Sequence, residues 1–135
     1  MRLRMLAAAG VLVSAAVHLK LWLDGFRDIS VIGPAFMLNA VGGLVIAVLL
    51  VTWKSWIAPL LAAGFGLSTL GAFTIATTSL GLFGTHEKWQ GSYVWVAAAA
   101  EIVALVVGLA AVVAERRTAS PAAASATERP RTTAH

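Results

Sequence analysis

The stretch YVWVAAAAEIVALVVGLAAVVA, residues 93–114, carries a single charged side chain, Glu101, among apolar and aromatic residues. A run of this length matches the ~20 helical residues that cross a hydrocarbon core of ~30 Å, so it reads as a transmembrane helix. Three more runs of the same kind cover about residues 5–23, 31–52 and 57–82. Between them lie DGFRDIS, TWKSW and GTHEKWQGS, rich in turn formers, charge or interfacial tryptophan. Backbone groups cannot stay unpaired in lipid, and none of the runs shows the alternation of a barrel strand, so helices are the form that spans. The expected fold class is all-α, a four-helix transmembrane bundle.

Composition agrees, with 59% hydrophobic and 12% charged residues among 135, against about a quarter charged in a soluble domain. Four spans use up residues 1–115 as one membrane domain and leave no room for a sizeable soluble one. From Arg116 the chain changes to a Pro-, Ser-, Thr- and Ala-rich segment ending TASPAAASATERPRTTAH. It has no large apolar residue to bury, so residues 116–135 are expected to form a disordered cytoplasmic tail. MRLRMLAAAGVLVSAA also has the basic start and small residues of a cleavable signal. Against cleavage, the apolar run continues through LKLWL to spanning length.

Alternating spans place Arg2, Arg4, Lys54, Arg116, Arg117, Arg129 and Arg131 on one side and Lys20, Arg27 and Lys88 on the other, seven against three. The positive-inside rule makes the first side cytoplasmic, which gives a multi-pass plasma-membrane protein with both termini inside. A reporter fused after His135 is expected to read as cytoplasmic and one in the Gly84–Ser92 loop as external. An external C-terminus would break either the four-span reading or the uncleaved first helix.

The chain has no cysteine, which excludes disulfides, thiolate metal sites and a cysteine nucleophile. The net charge of +4 does not point to nucleic acid, because the arginines sit at the chain ends instead of on a face interleaved with aromatics. No nucleophile motif, phosphate-cradling glycine loop or nicotinamide or flavin fingerprint occurs, so neither catalysis nor a cofactor is indicated.

Polar residues inside the spans carry the remaining information, because each costs several kcal/mol in hydrocarbon and tends to face the bundle interior. His18, Asn39 and Glu101 lie at depths where they could meet in one layer, with hydroxyls from Thr74, Thr77, Thr78 and Ser79 nearby. A neutral Glu101 hydrogen-bonded to Asn39 or a threonine would hold two helices together. An ionised one would require a cation. His18 either donates to a neighbouring carbonyl or belongs to an interior site, while Lys20 and Asp24 form an i, i+4 pair at the helix end. With His86 and Glu87 in the third loop, His18 and Glu101 make a conceivable N/O metal set, although no ligand-spacing motif is present. Small residues four apart suggest close helix contacts: Gly10 and Ser14, Gly43 and Ala47, Gly64 and Ser68, and Ala104 and Gly108.

In HLKLWLDGFRDISVIGPAFMLNAVGG (18–43) and GLFGTHEKW (81–89) the chain resembles a group of small actinobacterial four-helix membrane proteins of unknown function. There a histidine-bearing first helix, a GFRDI-like loop, an IGPxFxLNA-like second helix and an LFGxHE-like third loop recur in this order. The likeness to four-helix membrane proteins of the DoxX type is looser. The resemblance implies a four-helix integral membrane protein and transfers no mechanism.

The expected function is a non-enzymatic binding or accessory subunit with an outward-facing polar cluster of His18, Asn39, Glu101, His86 and Glu87, using no cofactor. A proton- or metal-coupled transport or redox accessory working through Glu101 and His18 is one alternative. A purely structural partner of a membrane complex is another. The bilayer, and a membrane-protein partner or a second copy of the chain, are the expected partners.

Overall fold

Each apolar run forms one helix in the computed structural model, which describes residues 1–84 and 86–127, with side chains through residue 119. These are α1 (Arg2–Leu23), α2 (Ile32–Thr52), α3 (Ile57–Ala76) and α4 (Ser92–Thr127). All four are long and apolar enough to cross a membrane, and no strand occurs among the described residues. The architecture is that of a multi-pass membrane protein.

Two helix ends differ from the hydropathy boundaries. α3 stops at Ala76, short of residue 82, because Thr77 and Thr78 turn their hydroxyls back onto the carbonyls of Thr74 and Ile75 and Gly81 takes a φ of +65°. α4 does not end at 114 but continues through Arg116 and Arg117, and its backbone stays helical to Thr127. The alanine-rich sequence there is a good helix former once a helix feeds into it. Of the segment 116–135 expected as a tail, residues 128–135 lie outside the described residues.

α1 packs along both α2 and α4, and α3 packs along α4, whereas α2 and α3 meet sparsely. Around the bundle the order is therefore α2–α1–α4–α3. The short Trp53–Trp56 turn marks one end of the bundle, with the chain start. The other end carries the longer connections, 24–31 with its single 3₁₀ turn at Phe26–Asp28, and 77–91.

The short-turn end is solid. Ala7, Ala8, Val11, Ala47, Leu50, Ala58, Ala62 and Ala104 form one buried cluster, in which small side chains let helices approach closely enough for dispersion contacts to accumulate. At its edge Arg4 is buried at 7% exposure. Its guanidinium donates to both carboxylate oxygens of Glu115 at 2.6 and 2.7 Å and to the carbonyls of Leu50, Trp53 and Ser55 at 3.2, 2.7 and 2.8 Å. One side chain thus joins α1, the end of α2, the turn after it, and α4. Glycines set the closest approaches. A Cβ on Gly66 would stand 2.4 Å from the Glu101 carbonyl oxygen, and one on Gly10 would stand 2.9 Å from that of Ala100. Gly64 faces open space, so the α3 contact runs through Gly66 and not through the Gly64–Ser68 pair.

At the other end the chain folds back on itself. A Cβ on Gly33 would lie 2.4 Å from the Arg27 carbonyl oxygen, so the 3₁₀ turn rests directly on the first turn of α2. Phe26 stacks on Phe36 at 5.2 Å, and Phe36 meets the His18 ring edge-on at 5.0 Å. The 77–91 connection is held by the Glu87 N–H, which donates to the Ala76 carbonyl at 3.0 Å. Trp89 helps from the same loop, packed against Phe73 and Trp95.

Candidate ligand-binding site

Because α2 and α3 stand apart near the long-loop end, the bundle is hollow there. A cavity of about 640 Å³ is bounded by all four helices and by the two long connections. Its apolar wall includes Phe26, Ile32, Phe36, Phe65, Phe73 and Leu82, and its polar groups include His18, Asn39, Thr69, Glu87 and Glu101.

Glu101 is 2% exposed and lies about 14 Å into α4 at ~1.5 Å per residue. Its Oε1 accepts a hydrogen bond from the Ser14 hydroxyl at 3.2 Å. Among the described residues its Oε2 has no partner. His18 Nδ1 lies 2.8 Å from the Ser14 carbonyl, and because a carbonyl only accepts, Nδ1 carries the proton. Nε2 of a neutral ring is then an acceptor. Ser14, fully buried, connects the two titratable groups.

Asn39 does not pair with Glu101. Its amide nitrogen donates to the Thr69 hydroxyl at 2.9 Å, which ties α2 to α3 across their seam, while its Oδ1 is buried without a partner. Orphaned buried acceptors are uncommon in a settled structure. Glu87 lies half-buried in the cavity wall within the 77–91 connection, and its partial burial raises its pKa above the ordinary carboxylate value.

His86 is exposed, with its ring near the Ser79 carbonyl, and is not part of the cavity. The conceivable metal set of His18, His86, Glu87 and Glu101 is therefore not assembled: no three His, Asp or Glu side chains gather to hold a metal ion among the described residues. Thr74, Thr77 and Thr78 spend their hydroxyls on carbonyls of their own helix. Lys20 is paired with Asp24 at the exposed rim and lies over the Tyr93 ring at 5.7 Å.

Two of these side chains, Ser14 and Thr69, have parts at the cavity that the sequence does not announce. Ser14 reads there as a packing residue, although its place four residues before His18 on one face already offers a hydroxyl to the same layer. Thr69 sits three to four residues from Phe65, Ala72 and Phe73 on the cavity face of α3, a phase that hydropathy does not reveal. Comparison with protein-family models, with curated proteins and with solved structures finds no match.

Proposed function

We propose that this protein is a non-enzymatic binding protein of the plasma membrane, which holds a small amphiphilic molecule in the cavity between α2 and α3. The observation that carries this reading is the cavity itself. Its volume of about 640 Å³ lies within the ~300–1,000 Å³ usual for small-molecule sites, and it pairs apolar walls with a few polar groups. The Lys and Arg bias turns the long-loop end outward, so the cavity belongs to the outer half of the bilayer.

The alternative, a proton-coupled accessory, is favoured by the Ser14 link between His18 and Glu101. In that case Glu101→Gln would abolish activity while occupancy of the cavity stayed unchanged.

Gly42 offers a direct test. It lines the cavity, and a Cβ added there meets nothing within 4 Å, so Gly42→Phe should fill the space without disturbing the helix contacts. Native mass spectrometry of the purified protein is expected to show a bound small molecule released from the wild type and absent from Gly42→Phe, with melting behaviour preserved. Identical spectra for the two proteins would remove the binding reading and leave a structural role in a membrane complex.

A further inference from the structure

The cavity lining holds donors on Gln90 and Tyr93, whose side chains are exposed, whereas its more buried polar groups, His18, Asn39 and Glu101, each present an acceptor to it. The Oε2 of Glu101, the Oδ1 of Asn39 and the Nε2 of a neutral His18 have no partners among the described residues. The hydroxyl hydrogens of Ser14, Ser68 and Thr69 are committed elsewhere. Ser14 donates to Glu101, and both Ser68 and Thr69 donate to the Phe65 carbonyl. Neither lysine nor arginine lines the cavity. Among these three side chains the acceptors outnumber the hydrogens left to meet them, which are the second N–H of Asn39 and, when Glu101 is protonated, its carboxyl hydrogen. The wall adds the aromatic rings of Phe26, Phe36, Phe65 and Phe73.

Resting on the binding reading above, we infer that the ligand is an organic ammonium: a protonated primary or secondary amine on an apolar, ring-bearing body. An ammonium brings several donors and no acceptor, which complements this set. It also brings the cation that an ionised carboxylate inside hydrocarbon requires. Aromatic faces attract the same charge and accommodate the apolar body. A neutral alcohol would satisfy one acceptor and leave the others orphaned, and a carboxylate would add acceptors where donors are needed.

Three probes with one biphenyl body separate these cases: biphenylmethylammonium, biphenylmethanol and biphenylcarboxylate. Binding is measured by equilibrium dialysis with the full chain in lipid nanodiscs, and protein-free nanodiscs correct for partitioning. The ammonium is expected to bind at least about tenfold more tightly than either analogue, the range of one charge-assisted hydrogen bond. Glu101→Gln should abolish that preference while retaining the bond from Ser14, and melting of the variant confirms that it is folded. Asn39→Leu, at a second helix, should weaken the ammonium severalfold. Equal binding of all three probes, or an ammonium preference that survives in Glu101→Gln, would overturn the cation assignment and leave the cavity as a binding site. No saturable binding of any probe would overturn both.

Discussion

Arg4→Ala is expected to lower the stability of the folded protein by about 3 kcal/mol, the lower end of the cost of removing one partner from a buried ion pair, because the Glu115 carboxylate left behind is 31% exposed. The physical reason extends past the lost attraction to Glu115. The last carbonyls of a helix have no partner within it, and Arg4 supplies donors to Leu50 at the end of α2 and to Trp53 and Ser55 in the turn that follows. Alanine leaves the Leu50 carbonyl bare in a buried place and those of Trp53 and Ser55 in part-buried ones. Arg4→Lys should recover only part of the loss, because an ammonium cannot reproduce the planar two-pronged contact with the carboxylate. Glu115→Gln should cost less than Arg4→Ala, since Glu115 is 31% exposed and the amide retains one acceptor. The orientation bias survives the loss of one arginine, with six basic residues against three, so a drop in melting temperature reports folding and not inverted insertion. Unchanged melting of Arg4→Ala would show that these bonds contribute nothing.

Gly66→Leu should be the next most damaging substitution, at roughly 2–3 kcal/mol, the upper part of the range for overpacking. At Gly66 the backbones of α3 and α4 touch, with 2.4 Å between an added Cβ and the Glu101 carbonyl oxygen and 2.9 Å to the Leu105 nitrogen. Neither atom can rotate away, so the helices must separate beside the carboxyl that anchors the cavity. Gly64→Leu is the control, because a Cβ there meets nothing within 4 Å, and it should melt within a few tenths of a kcal/mol of wild type. Equal losses in the two variants would mean that helix propensity, and not the backbone contact, sets the cost.

Span number and helix class were legible because hydrocarbon thickness imposes a length on each apolar run. Helix phase was not. In spans where most positions are Ala, Gly, Val or Leu, residues four apart form plausible stripes in several phases, so Gly64 and Ser68 look as suitable as Gly66. Only the neighbour's backbone tells them apart.

His18 and Glu101 were conspicuous as polar groups in apolar surroundings, and the structure joins them through Ser14. The pairing of Asn39 with Thr69, like the separation of His86 from the cavity, depends on how far apart α2 and α3 stand and on how the 77–91 connection folds, and hydropathy records neither. Arg4 reads in the sequence as a topology charge because its partners lie 46 to 111 residues away along the chain.

The sparse meeting of α2 and α3 gives the molecule the mechanics of a tuning fork. α1 and α4 form the stem, the Arg4 knot clamps the base of α2, and the two remaining helices are tines, each packed along the stem and bridged to the other above the turn by the Asn39–Thr69 hydrogen bond. A group that entered between the tines would load that bridge before it reached the packed base.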